Sequence, residues 1–215
     1  MARIVSVLSA RPPGSRADAV GRRAGHRLVA AGHNVVEVHL RELPAESLLW
    51  RDVDHPSLVA VVEAVTRADG LIVTSPVHQA SIAAPVKAFL DLFPMSGLRG
   101  TTVLPFMVGG SAGHVLALDY GLRPVLQGLA PAHLAAGRYV VASAITLTPD
   151  WPQEAFRREA TIEASVAAQI DRATDEFAGL LRPSPADEEV SAGIGRASFS
   201  RVRRPVPHPP VRRSG

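Results

Sequence analysis

Two serines and two arginines stand close together near the start of the sequence, at Ser9, Arg11, Ser15 and Arg16. Hydroxyl and guanidinium groups are the side-chain donors that bind phosphate. The segment follows a short apolar run and leads into a helical pattern, whose N-terminus offers free N–H groups and a positive dipole end. The pattern favours an anion site, and an N-capped turn with solvated arginines is the alternative.

A second segment combines apolar residues with a few polar groups at Pro76, Val77, His78 and Gln79. Such a segment suits a flat aromatic ligand, which needs an apolar wall and hydrogen bonds at its rim. The competing interpretation is a loop in which His78 is solvated and contacts no ligand.

A third segment contains Gly109, Gly110, Ser111 and His114. Two adjacent glycines allow the backbone to approach a ligand plane closely, and Ser111 is the N-cap candidate of the next helix. A tight turn between a strand and a helix is the alternative explanation.

The same run, Gly109-Gly110-Ser111-Ala112-Gly113, also matches the nucleophile elbow of serine hydrolases. A Ser111 esterase requires a later acid and then a histidine, and only Asp119 and His133 offer them in that order. The sequence has no dinucleotide fingerprint after its first apolar run, no phosphate-binding loop with a glycine before Lys87, and no zinc-protease motif. No metal site is predicted.

Regular elements must position these segments, and five short apolar runs alternate with five segments of helical periodicity. The strands are expected over Ile4–Leu8, Val35–Leu40, Leu71–Thr74, Thr101–Val108 and Arg138–Ile145. The helices are expected over Ser15–Ala31, Ser57–Ala68, Ala84–Phe93, Ser111–Leu129 and Gln153–Leu181, with Pro44–Pro56 as a connection. This alternation predicts a three-layer, doubly wound α/β fold with a parallel sheet, which binds ligands beyond the carboxyl ends of its strands.

The composition divides the chain into a domain over residues 1–182 and a tail over residues 183–215. The whole sequence has 215 residues, is 47% hydrophobic and contains no cysteine, which excludes disulfides and thiol nucleophiles. From Arg182 onward seven arginines face three acidic residues among many prolines, so a disordered tail is expected. No apolar run reaches membrane length and no signal peptide is evident, so a cytoplasmic protein without membrane or nucleic-acid partners is predicted.

Three stretches resemble a known family. They are the run Ala68–Val77, the run Lys87–Pro94, and Leu116–Leu126 with its Asp-Tyr-x-Leu-x-Pro-Val-Leu core. Together with Ser15-Arg16, they resemble the NAD(P)H-dependent FMN reductases, in particular the group that supplies reduced flavin to alkanesulfonate monooxygenases.

The resemblance implies a flavodoxin-like fold with a five-stranded parallel sheet of order 2-1-3-4-5. It implies that Ser9, Ser15 and Arg16 hold the FMN phosphate, and Arg11 is a further candidate as the second arginine of the same segment. It also implies that the segment from Pro76 to Gln79 lines the isoalloxazine, with His78 where the family has tyrosine, and that Gly109, Gly110 and Ser111 close its other edge. His114, which also matches the family, is a further cofactor-binding candidate. Tyr120 matches an inserted tyrosine that forms a π-bulge at a tetramer interface, so a homodimer or homotetramer is expected.

The activity implied by the resemblance is hydride transfer from NADPH or NADH to FMN, with reduced flavin passing to a partner monooxygenase. The cofactor carries such chemistry, which agrees with the lack of an evident acid–base set, so no catalytic side chain is predicted. A flavin-binding quinone or azo reductase, a non-catalytic electron carrier and the Ser111 esterase remain as alternatives.

Overall fold

The centre of the molecule is a parallel sheet, seen in a computed structural model that describes residues 1–9, 15–147, 160–182 and 199–201. The strands are β1 Arg3–Leu8, β2 Asn34–His39, β3 Gly70–His78, β4 Ser81–Ile82, β5 Thr102–Gly109, β6 His133–Leu134, β7 Arg138–Val141, β8 Ile145–Leu147, β9 Ala160–Ile162 and β10 Phe199–Arg201. β1 pairs in parallel with β2 and β3, and β3 pairs in parallel with β5. The predicted α/β architecture with a parallel sheet is confirmed.

Helices cover both faces of this sheet. They are α1 Arg16–Ala30, α2 Ala45–Trp50, α3 Pro56–Thr66, α4 Ala84–Leu90, a π-helix over Leu118–Leu122, α5 Arg123–Gly128 and α6 Ala164–Leu180. One core contains apolar side chains of α3, α4 and α5, and the other contains those of α1 and α6. Because both faces are covered, β1 and β5 are almost entirely buried and read as continuous apolar runs.

Pro105 is accommodated inside β5 because the outer strand next to it is interrupted at this position. β6 pairs with Thr102 and Val103, whereas β7 pairs with Phe106 and the three residues after it. Pro105 lies between these two pairings, where its missing N–H leaves no ladder bond unmade. Gly137, with a φ of +68°, joins the two outer strands, and a Cβ there would collide with the Pro105 carbonyl.

The predicted count of five strands and their simple order are wrong for the sheet as a whole. Its eight strands in the described residues follow the order β10-β2-β1-β3-β5-β6, with β4 attached to β3 and β7 attached to β5. Three local features add strands: β3 continues into a hairpin with β4, the short strand β6 pairs with β5 ahead of the predicted outer strand, and β10 pairs antiparallel with β2. β8 and β9 form a separate two-stranded sheet.

Several predicted boundaries also change. The Pro44–Pro56 connection contains α2, the Ser111–Leu129 helix is broken into a 3₁₀ turn, a π-helix and α5, and α6 starts at Ala164. The predicted start of that last helix lies outside the described residues.

The structure places residues 199–201 of the tail in β10, and the rest of the predicted tail lies outside the described residues. The i,i+4 spacing of Lys87 and Asp91 favours an ion pair, and this pair forms at the end of α4, with the Lys87 Nζ 2.5 and 2.6 Å from the two carboxylate oxygens.

Within these described ranges, no helix is both long enough and apolar enough to cross a lipid bilayer.

Candidate functional site

The three predicted segments follow strands that end at the same side of the sheet, the carboxyl end. Leu8 of β1 lies opposite Thr74 of β3, which lies opposite Phe106 of β5. Each strand runs in the same direction, so the residues that follow these three positions meet at the carboxyl end of the sheet. The structure therefore brings the three segments together at the carboxyl end of the sheet, where open α/β sheets bind ligands.

The first segment ends in the N-terminus of α1. The Ser15 Oγ accepts a hydrogen bond from the Asp18 N–H at 3.0 Å, which confirms Ser15 as the N-cap. The Arg16 Nε donates to the Ile145 carbonyl at 2.9 Å, so this arginine is anchored to β8 although it is exposed. The Ser9 Oγ is buried, and no described residue hydrogen-bonds to it. Arg11 lies outside the described residues.

Asp18, in the first turn of α1, is a residue that the sequence analysis does not single out. Only 1% of it is exposed, and burial raises the pKa of its carboxyl from 3.8 to about 6, against the opposing charges of Arg22 and His39. Acidic residues are common in the first turn of helices, where they meet the positive dipole end. Its sequence position therefore carries no signal that this carboxyl is buried.

The second segment is a β-hairpin rather than an irregular loop. The predicted strand ends at Thr74, whereas β3 continues through Pro76 to His78, and Val77 pairs with Ile82 of β4. A two-residue turn, Gln79-Ala80, joins the strands with φ values of 47° and 59°, the signs of a type I′ turn. His78 and Gln79 are exposed at its tip.

The base of this hairpin is closed by a buried serine. The Ser75 Oγ donates to the Pro76 carbonyl at 2.8 Å and accepts from the Ala83 N–H at 3.0 Å. These bonds join the end of β3 to the start of α4 and so fix the position of the hairpin.

The third segment follows β5, which ends at Gly109. The Ser111 Oγ accepts from the Gly113 N–H at 3.1 Å and caps a 3₁₀ turn over Ala112–His114, as its predicted N-cap role requires. A Cβ on Gly110 would meet no atom within 4 Å. The backbone at Gly110 is therefore open to the approach of a ligand.

The structure rules out the Ser111 esterase. His133, the histidine that the triad requires, pairs with Thr102 at the start of β5, whereas Ser111 follows the end of that strand. A strand of eight residues spans more than about 20 Å, far beyond hydrogen-bond reach. The Ser111 hydroxyl instead acts as a cap.

A cleft of about 410 Å³ lies between the hairpin and the π-helix. Its lining residues are Ala80, Ser81, Gly113, His114, Leu116, Ala117, Tyr120 and Gly121. His114 and the hairpin tip thus share one opening, although they are 34 positions apart in sequence. Tyr120 is 79% exposed within the π-helix that its resemblance to the family predicts.

Comparisons with known proteins identify the family of this chain. The family model of NADPH-dependent FMN reductase matches residues 3–146. An FMN reductase (NADPH) of Pseudomonas putida is 42% identical over 115 residues, which cover 54% of this chain and 58% of that protein. A counterpart of the same name from Escherichia coli is 37% identical, over 57% of this chain and 64% of that protein. These alignments thus span less than two thirds of either relative.

A longer alignment joins this chain to the NADH-dependent FMN reductase SfnF of Pseudomonas fluorescens, with 30% identity over 71% of this chain and 81% of that protein. Among solved structures, the apo form of the NADH:FMN oxidoreductase EMOB superimposes with a TM-score of 0.73 and 33% identity, over 86% of this chain and 92% of that chain. A flavodoxin from Streptococcus pneumoniae, at 12% identity and a TM-score of 0.51, supports the flavodoxin-like fold alone. The family match covers the strands from β1 to β7, including the hairpin, and all three predicted segments, and on that basis the chain belongs to the NADPH-dependent FMN reductase family.

Proposed function

We propose that this chain is an NAD(P)H-dependent FMN reductase that binds FMN across the three segments described above. The observation that carries the proposal is the convergence of a capped helix N-terminus, a hydrogen-bonded hairpin and an open glycine backbone at the carboxyl end of the sheet. A phosphate and a flat ring system need these features in this combination.

The phosphate end of FMN is assigned to the start of α1. The helix has fifteen residues, so its N-terminus carries a full dipole. Ser15 and Arg16 stand at this terminus, and the buried Ser9 Oγ supplies a hydroxyl that no described residue uses. Arg11 is proposed as a further phosphate ligand on its sequence position.

The isoalloxazine is assigned to the space between the hairpin and the third segment. Pro76 and Val77 are half-buried and give an apolar wall, while His78 and Gln79 stand exposed at the tip. Gly110 offers an open backbone, His114 lines the cleft opposite the hairpin, and Gly109 and Ser111 flank Gly110 in the third segment. These residues orient the ring, and none of them is assigned a proton-transfer role.

Bound flavin supplies the hydride chemistry, so the protein has to hold the flavin and nicotinamide planes in contact. The relatives' names include both NADPH and NADH, and we propose one of these two as the donor. We further propose that reduced FMN leaves for a separate monooxygenase. A Kd near micromolar, about −8 kcal/mol, suits a flavin that must be released.

The proposal is tested by following NADPH and NADH oxidation with and without added FMN, alongside fluorescence titration of FMN. Oxidation that depends on FMN and saturates with it is the expected result. Binding without steady-state oxidation would indicate an electron carrier, and turnover that requires an added quinone or azo dye would indicate a reductase of those acceptors. Absence of FMN binding would overturn the assignment of the site.

A further inference from the structure

Tyr139 contacts the third segment, yet no part of the proposed function uses it. It lies on β7 opposite Met107, and its hydroxyl donates to the Ser111 carbonyl at 2.5 Å. The same carbonyl accepts from the His114 N–H at 3.1 Å. Two donors from different parts of the chain therefore fix the orientation of this peptide group.

Gly109 is the position that admits the tyrosine ring. A Cβ on Gly109 would collide with the hydroxyl and ring carbons of Tyr139, whereas a Cβ on Gly110 would meet nothing. The sequence assigns both glycines to a ligand, but the structure divides their roles. Gly109 makes room for Tyr139, and Gly110 alone presents open backbone.

The chemistry of the contact requires a protonated phenol. Burial raises the pKa of Tyr139 above its usual value of 10, so the hydroxyl remains a donor across the neutral range. The Ser111 carbonyl can only accept, so this bond has one possible direction.

We propose that Tyr139 is a positioning residue for flavin, because its hydroxyl holds the Ser111 carbonyl and so keeps the Gly110–Ser111 backbone in its ligand-facing conformation. The inference rests on the proposed function for the identity of the ligand. The contact acts on the backbone next to the ring site and not on the reacting atoms. Its loss is therefore expected to change FMN affinity and to leave turnover at saturation intact.

The test is Tyr139→Phe, which keeps the ring over Gly109 and removes only the hydroxyl. The Kd and KM for FMN are expected to rise about fivefold, the effect of one lost hydrogen bond, with kcat within about twofold of the wild type. The matched control is Thr174→Val on α6, which removes a buried hydroxyl that donates to the Ile170 carbonyl at 2.8 Å. This control is expected to leave the Kd for FMN unchanged.

A second measurement needs no flavin. Amide exchange at His114, whose N–H shares the Ser111 carbonyl, is expected to accelerate in Tyr139→Phe and not in Thr174→Val. An unchanged exchange rate, or an unchanged Kd in a wild type that binds FMN, would overturn the inference. A wild type that binds no FMN would instead overturn the proposed function, and the exchange rate would still decide whether Tyr139 holds the segment.

Discussion

At the scale of single residues, Asp18 makes the stability of the protein depend on pH in an unusual direction. Because its pKa rises from 3.8 to about 6 on folding, the folded state keeps a proton that the unfolded state releases between these values. Stability contributed by this group therefore falls as the pH rises from about 4 to about 6, and it stays lower above that range. The full difference corresponds to about 3 kcal/mol.

Asp18→Asn is accordingly expected to stabilise the protein at pH 7.5 by about 1–3 kcal/mol and to lose this advantage at about pH 4. Urea denaturation at a series of pH values measures the change. The control is Asp175→Asn, because the hydrogen bond from Arg27 lowers the pKa of Asp175 and its removal acts in the opposite direction. Parallel pH profiles for the wild type and Asp18→Asn would contradict the assignment.

Gly110 provides a second residue-scale prediction. Gly110→Ala places a methyl group in open space, so the melting temperature is expected to stay within about 2 °C of the wild type. FMN affinity is expected to fall at least fivefold, because the methyl occupies the approach that we assign to the ring. Thermal melts and FMN titrations measure the two effects. Equal FMN binding by the variant and the wild type would contradict the placement of the ring beside this backbone.

At the scale of elements, the start of α1 joins a structural role to a proposed binding role. Ser15→Ala removes the N-cap and is expected to cost about 1 kcal/mol of folding stability in addition to weakening FMN binding. Arg16→Ala loses the bond to Ile145 and is expected to weaken FMN more than riboflavin, which lacks the phosphate. Comparison of titrations with the two flavins measures the phosphate contribution. Equal losses for FMN and riboflavin would argue against phosphate binding here.

The hairpin turn gives a prediction about local strain. Gln79 and Ala80 both have positive φ, a conformation that costs a residue with a side chain about 1 kcal/mol and costs glycine almost nothing. Ala80→Gly is therefore expected to raise stability by about 0.5–1 kcal/mol, as judged by chemical denaturation. Thr66→Gly, on the exposed end of α3, is the contrasting change and is expected to destabilise. A destabilising effect of Ala80→Gly would contradict the turn geometry.

Elements with strong periodicity were predictable from the sequence, and those decided by tertiary contacts were not. β1, β2, α1 and α3 lie within one or two residues of their expected bounds, because their apolar patterns match one period throughout. The π-helix over Leu118–Leu122 followed only from the resemblance of Tyr120, since helical periodicity does not distinguish one wide turn. β10 was missed because a three-residue strand forms against an existing edge and has no pattern of its own.

The candidate site divides in the same way. Segments that follow strands were found because topology places them at one edge. Tyr139 and Asp18 were missed because their roles depend on contacts to Ser111 and on burial, which a single sequence does not encode. The sequence ends the predicted strand at Thr74 because a proline such as Pro76 usually interrupts a strand, whereas here β4 pairs with the residues beyond it.

At the scale of the whole molecule, the exposed apolar residues around the π-helix support the proposed homo-oligomer. Val115, Leu116 and Tyr120 are 46%, 58% and 79% exposed, and large side chains of this kind are typical of contact surfaces. Tyr120→Ala is expected to reduce the apparent mass in sedimentation velocity. The control is Trp50→Ala, which removes an equally exposed aromatic from α2. An unchanged mass for Tyr120→Ala would leave the tyrosine as a lining residue of the cleft only.

The ion pair on α4 has a practical consequence for the whole molecule. Lys87 is the one lysine in the sequence, and it lies one turn into the helix that follows the hairpin. Coupling reagents directed at lysine side chains therefore have a single ε-ammonium target, Lys87, and attachment there removes only its bond to Asp91. Protein molecules attached to an electrode through the Lys87 side chain would all be held at the same point. Such uniform attachment suits the direct measurement of electron transfer between the protein and the electrode.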